Sequence, residues 1–359
     1  MKHNFKIFDL KTDKLIAVDK FIDKALYHPD LGYYSKNIPF GKQGDFITSP
    51  TISNLFSEII TIWLISSWEK LGKPKVFNYV ELGPGDGSLT KVLVDTIKNF
   101  PEFSKAIKIY LYEKSDLLKK VQIKKINNSR VKWIRNFKSI KNGPIIFFGN
   151  EFFDAIPIKQ YSYFKKNIYE KFYFINQKTE LDETYRKVPS RELSQIKSYK
   201  TLKNLNFIEY PKIGFEELDK IVNKISELTG GIILIDYGYL NQANKSTLQA
   251  VIKNKKININ SLLKNLGRVD ITYLVNFRLL KEYFLAKKLK VKDIVSQKFF
   301  LEKMGIIQRA KILEKKMTQQ EKNYMSLTLN RLLHKDLMGS LFKVIFAFNS
   351  SKSNFLGFK

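Results

Sequence analysis

Cysteine is absent from the 359 residues, which excludes disulfides, thiolate metal centres, iron–sulfur clusters and cysteine nucleophiles together. Histidine is scarce: His3, His28 and His334 lie far apart, and a zinc site built on histidine would need all three plus a carboxylate. No metal is expected. Long hydrophobic runs are missing too. The longest apolar stretches, such as Ile59 to Trp68, reach about ten residues, well short of the ~20 that a membrane span needs. Ten prolines and seventeen glycines are spread through a chain that is 44% hydrophobic and 27% charged, so neither disorder nor a collagen-like repeat fits. The N-terminal MKHNFKIFDLKTDK carries Asp9 and Asp13 and has neither the apolar core of a secretory signal nor the acid-poor character of a transit peptide. A globular protein of the cytoplasm, large enough for a sizeable core, is the expectation.

Acidic residues are outnumbered, 34 Asp and Glu against 63 Lys and Arg, for a net charge of +29. Nucleic acid is the first partner such a charge suggests. Yet the basic residues are mostly scattered lysines, and Asn and Ile are also abundant. That pattern reads more simply as AT-rich codon usage on a solvated surface; phosphate binding would reveal itself as a steep salt dependence.

What is present is an alternation of strands and helices. Ser49-Pro50 is followed by Ile52, Leu55, Phe56, Ile59, Ile60, Trp63 and Leu64, the stripe of an amphipathic helix that Ser49 would cap and Pro50 would open. VFNYVEL then runs into Gly83-Pro84-Gly85-Asp86-Gly87, after which Leu89, Val92, Leu93 and Ile97 return to helical spacing. Strand, tight loop, helix is the reading. Further strands are expected at Ile107 to Glu113, within Gly143 to Ala155, and at Gly230 to Gly238, each a short apolar, β-prone run bounded by turn residues, as in a parallel sheet buried on both faces. The fold expected is α/β, a doubly wound, mostly parallel sheet. Along the chain, 1–75 would form N-terminal elements on the cofactor site and 76–240 a Rossmann-like core. An antiparallel excursion is expected at 162–228, a mostly helical substrate cap at 241–335, and the last core strand within 336–359.

Three motifs carry chemistry. Glu81 and the glycines Gly83, Gly85 and Gly87 sit where the first strand turns into a helix, and glycine lets a ligand approach the backbone. The dinucleotide fingerprint would need a glycine at 88, which is Ser88; glycines at alternate positions after an acid suit S-adenosylmethionine instead. Glu113, ending the second strand, is placed to accept hydrogen bonds from ribose hydroxyls, or else to stand as an exposed charge before a helix that Ser115 would cap. Asn150-Glu151-Phe152-Phe153 ends a buried strand and resembles the Asn-Pro-Pro-Tyr/Phe motif of enzymes that methylate planar nitrogens. Glu151 suits a guanidinium, a rigid fork of N–H donors that keeps its charge, and Asp154 adds a second carboxylate. A helix N-terminus favoured by acids is the plainer account of the same residues.

Segments spread over nearly the whole chain carry a resemblance. They are Gly32-Tyr33-Tyr34, Gly44-Asp45-Phe46-Ile47-Thr48-Ser49-Pro50, Glu81 to Gly87, Asn150 to Pro157, Leu234-Ile235-Asp236-Tyr237-Gly238, Thr247 to Ala250 and Met338 to Lys343. In this order they resemble the MidA-type class I methyltransferases, whose mitochondrial members are complex I assembly factors. The resemblance implies S-adenosyl-L-methionine as cofactor and symmetric dimethylation of an arginine on a 49-kDa-type subunit of respiratory complex I, here in a bacterial cytoplasm. It would place Asp45, Thr48 and Ser49 beside the cofactor with the glycine loop and Glu113. Asn150, Glu151 and Asp154 would face the substrate nitrogen, and Phe153, Asp236 and Tyr237 would lie on the substrate side. Where the family usually reads His-Val-Asp-Phe, this chain reads Leu274-Val275-Asn276-Phe277; an expected His is Asn254, and a usual Gln-Gly is Gln297-Lys298. Two other readings stand beside this one: methylation of an amine on RNA, and a complex I assembly scaffold with impaired turnover. Nothing in the sequence requires a homodimer, and none is excluded.

Overall fold

The structure, a computed structural model, describes residues 14–37, 48–164, 167–178, 180–241, 244–252, 255–258, 262–263 and 265–359. Asp45 and Asn254 lie outside the described residues.

The core is a nine-stranded sheet. Its five main strands run parallel: β1 (Phe77–Leu82), β2 (Ile107–Tyr112), β3 (Val131–Ile134), β4 (Ile145–Asn150) and β5 (Gly230–Tyr239), and the two-residue strand Val275–Asn276 also runs parallel to β5. Their spatial order is β5-β4-β1-β2-β3, and β6 (Phe342–Phe348) lies antiparallel against β5. The order reverses between β1 and β4, which opens a crevice beyond the carboxyl ends of those two strands. Both are buried almost throughout, as expected of strands covered on both faces. Side chains alternate across the sheet: Phe77, Tyr79, Ile146, Phe148, Ile233 and Ile235 enter one core, while Val80, Leu82, Ile145, Phe147, Ile232 and Leu234 enter the other.

Helices supply both outer layers. On the first face lie α2 (Asn54–Lys70) and α3 (Ser88–Thr96), with α4 (Asp116–Ile126) beside α3. On the second face lie α5 (Lys212–Leu228) and the helix Phe277–Ala286, while α1 (Val18–Tyr27) packs on the strands Lys159–Phe164 and Asn167–Ile175. This is the expected doubly wound architecture. β3 is the strand that hydrophobicity conceals, because the half-exposed VKWI run at the sheet edge has no sustained apolar stretch to mark it.

Three expectations need adjusting. The excursion begins at Lys159 rather than 162. It is a five-stranded antiparallel sheet that recruits Ile16–Ala17 from the N-terminus and carries the helix Ser190–Ser198 besides α5. The segment 241–335 is not helical at its start, where Gln249–Ile252, Lys255–Ile257 and Asp270–Thr272 form a small sheet; helices follow from Phe277 onward. The helix expected from Ser49 is broken in two. Ser49–Ile52 is a short turn, Ser53 adopts an extended backbone, and its hydroxyl accepts from Leu55 N at 3.1 Å to cap α2.

Candidate active site

A cavity of about 300 Å³ lies beyond the carboxyl ends of β1, β2 and β4. Gly83 and Gly85 form one wall, with φ of 59° and 56°. In this left-handed region a side chain is strained, and a Cβ on Gly83 would come within 3.1 Å of the Phe152 ring. Gly87 is outside the lining; its lack of a side chain lets α3 close on Ile126 and Gln122 of α4. Glu81 is also outside. Its carboxyl is buried beneath the loop, accepts a hydrogen bond from the Thr90 hydroxyl of α3, and is pushed up to about 8, chiefly by burial. Glu81 and Gly87, expected at the cofactor, thus stand behind the loop and outside the cavity lining.

Glu113 lines the cavity beside the glycine loop, the two being bridged by Gln122. Its carboxylate accepts from Ser115 N at 2.7 Å and from Gln122 Nε2 at 2.9 Å, while burial raises its pKa. Ser115 caps α4 as expected, accepting from Leu118 N at 3.2 Å.

Glu151 enters the same cavity. It follows β4 at a sharp change of direction, with φ of 51°, a conformation that costs a non-glycine residue energy and here aims a carboxyl at the crevice. Asn150 Nδ2 and Ser49 N donate to Oε1 at 2.9 and 3.4 Å. Burial, then the neighbouring Asp154 charge, pushes the group up to about 8; the two hydrogen bonds and Arg331 act the other way. Asn150 Oδ1 is buried and has no hydrogen-bond partner among the described residues.

The remaining expected residues point elsewhere. Asp154 accepts from Thr272 Oγ1 at 2.9 Å and shares a hydrogen bond with Asp236. Asp236 is fully buried, accepting from Phe153 N at 2.8 Å and Tyr237 N at 3.2 Å, and burial drives its pKa far up. This pair of acids buttresses the 151–155 turn, and neither is in the cavity lining. Phe153 is buried, its ring tight against Gly214, and of the two phenylalanines it is Phe152 that lines the cavity. Tyr237 packs on Phe342 at 5.7 Å. Thr48 and Ser49 are also outside the lining; Ser49, whose hydroxyl donates to Gln297 Oε1 at 3.3 Å, meets Glu151 through its backbone.

Sequence reasoning missed Tyr27 and Tyr34, whose stacked rings, 5.5 Å apart, line the cavity, and Glu217, which holds Lys114 at 3.3 Å. Tyr34 stands in a segment that carried the resemblance; Tyr27 and Glu217 sit in ordinary amphipathic helices and carry no signal.

A family model of S-adenosyl-L-methionine-dependent methyltransferases matches residues 59–295. The chain belongs to that family. It is therefore an S-adenosylmethionine-dependent methyltransferase of the MidA type. It is 28% identical over 369 residues to protein arginine methyltransferase NDUFAF7, mitochondrial, of Xenopus laevis, spanning 95% of this chain and 82% of that one. The Homo sapiens protein of that name is 27% identical over 337 residues, 86% of this chain and 74% of its own. In fold the chain matches a COG1565 superfamily member from Burkholderia thailandensis bound to S-adenosyl-homocysteine. The TM-score is 0.81 at 20% identity, over 96% of this chain and 90% of that one. No helix among the described residues is long and apolar enough to cross a membrane.

The family's cofactor suits the residues present. Gly83 and Gly85 bring backbone without side chains to the cavity wall, where a Cβ on Gly83 would crowd the Phe152 ring, and Glu113 offers acceptors beside them.

Proposed function

We propose that this methyltransferase modifies a guanidinium nitrogen of a protein arginine. The observation that carries the reading is the sign of the cavity. In a chain of net charge +29, its lining holds the carboxyls of Asp23, Glu113, Glu151 and Glu217 against one lysine, Lys114, itself paired with Glu217. Such a wall favours cations and repels a phosphate backbone, which weighs against RNA as substrate.

Gly83 and Gly85 would accommodate the cofactor at the backbone, and Glu113 would accept from its ribose hydroxyls. S-adenosylmethionine supplies, when bound, an electrophilic methyl group on a sulfonium. Glu151 would accept from the guanidinium fork, hold its nitrogen in line for attack, and take the proton that the nitrogen loses as its new N–C bond forms. With the cavity empty, Glu151 keeps its proton near neutral pH; a cation alongside favours the carboxylate. Asn150 and Ser49 orient that carboxyl by their hydrogen bonds, and such positioning supplies much of the rate in reactions of this kind. Asp154 and Asp236, sharing a hydrogen bond, would keep the turn rigid.

The names of the relatives support arginine as the target, and the family resemblance points to a 49-kDa-type complex I subunit. The deciding experiment incubates the protein with methyl-labelled cofactor and that subunit, followed by mass spectrometry. A labelled arginine is the expected result; no label on the subunit despite bound cofactor, or label on total RNA in a parallel incubation, overturns it.

A further inference from the structure

Gln122 is fully buried in α4 and outside the cavity lining. Its Nε2 donates to two acceptors, Gly85 O at 2.8 Å and Glu113 Oε2 at 2.9 Å, and its Oε1 accepts from Trp133 Nε1 at 2.8 Å. Those bonds employ both N–H groups and the carbonyl. An indole only donates, so Trp133 on β3 fixes which way the amide faces. One side chain thereby joins the loop after β1, the acid after β2 and the edge strand β3.

We infer that Gln122 is a positioning residue for the cofactor site, holding the glycine loop and Glu113 in one rigid frame so that the ribose meets a preset carboxylate. This rests on the assignment of Glu113 to the ribose proposed above. Ser115 N takes Oε1 and Gln122 Nε2 takes Oε2 of a carboxylate that lines the cavity. The nearest substitutes fall short. Glutamate would set a second carboxylate against Glu113 and the Gly85 carbonyl, asparagine is one methylene short, and methionine leaves Gly85 O, Glu113 Oε2 and the Trp133 N–H without the amide.

The test is calorimetric binding of S-adenosylhomocysteine and its 2′-deoxy and 3′-deoxy analogues to the full chain, with thermal melts of each variant without ligand. Wild type is expected to bind at least one deoxy analogue about 10- to 100-fold more weakly than the parent, the worth of a hydrogen bond to a charged group. Gln122→Met is expected to bind the parent about tenfold more weakly, and its preference for the intact diol should shrink to about threefold or less. Trp133→Phe should move both quantities the same way by a smaller factor, and it carries the test if Gln122→Met does not fold. A folded Gln122→Met that loses affinity but keeps the wild-type preference overturns the inference, as does an unchanged preference in Trp133→Phe when that variant carries the test. A wild type indifferent to the diol instead removes the Glu113 assignment and the inference with it, an outcome visible before any variant is made.

Discussion

The backbone N–H of Ser49 lies 3.4 Å from Oε1 of Glu151, across 102 positions of chain. The short helix Ser49–Ile52 is thereby pinned to the turn after β4. Through its hydroxyl, Ser49 also reaches Gln297, whose Nε2 donates to Leu332 O at 3.1 Å. Ser49 and Gln297 thus link the C-terminal helix Gln319–Leu333 to the carboxyl that we assign to the substrate.

Glu151→Gln keeps the shape of that group and removes its ability to take a proton. Cofactor affinity measured by calorimetry should stay within about twofold, whereas kcat should fall by about 100-fold or more. For wild type, kcat/KM should rise with pH and level off above about 8, where the free carboxyl ionises; the variant's residual activity should lack that rise. Full activity in Glu151→Gln would falsify the assignment.

Gly85→Val forces a β-branched residue into φ of 56° and fills space beside the cavity. Cofactor affinity should drop by at least about tenfold, ~1.4 kcal/mol, because the loop either leaves the left-handed conformation to escape strain or presents the valine side chain to the cavity. Wild-type affinity in this variant would remove the loop from the binding site.

Phe152 and Phe153 are neighbours with opposite fates. Phe153→Ala empties a packed site in the core and should cost about 3–5 kcal/mol in denaturant unfolding. Phe152→Ala should leave most of the stability in place and weaken ligand binding. An exchange of the two phenotypes would show that the wrong ring has been placed in the cavity.

Buried Glu81 links stability to pH. Its folded pKa of about 8 stands above the value of 4.5 for a free side chain. The stability contribution is complete below pH 4.5, declines as the unfolded chain ionises, and is fully lost once pH passes about 8. Glu81→Gln has no such titration. Melting temperatures at pH 5 and pH 9 should show wild type losing ground to the variant as pH rises; a difference independent of pH sinks the idea.

Asn276 stands where the family usually has an acid, and its side chain accepts from Leu279 N at 3.1 Å to cap Phe277–Ala286. Asparagine and aspartate cap about equally well. Asn276→Asp should therefore leave the melting temperature nearly unchanged, while Asn276→Ala costs about 1 kcal/mol. The departure from the family at this position preserves a structural bond.

The parallel strands were legible because VFNYVEL, the Gly143–Ala155 run and GGIILIDYG are short, apolar and bounded by turns. The half-exposed Val131–Ile134 strand has no such pattern. The small sheet at 249–272 was hidden for a related reason: Lys255 and Lys256 sit exposed on it, so its pairing with neighbours rather than hydrophobic periodicity defines it. Ser49 illustrates another limit. Serine before proline satisfies every rule for a helix cap, but the extended backbone of Ser53 gives the cap of the long helix to Ser53.

Local composition and spacing sufficed for the alternating α/β order, the glycine loop and the placement of Glu113 and Glu151 at strand ends, because each depends on a handful of adjacent residues. Which acids reach the cavity was decided by packing. Glu81, Asp154 and Asp236 are as acidic as Glu113 and Glu151, yet Thr90, Thr272 and the backbone of Phe153 turn them inward. Hydrogen-bond partners distant in sequence exist only once the sheet has assembled, so the direction of a carboxyl is a property of the folded chain.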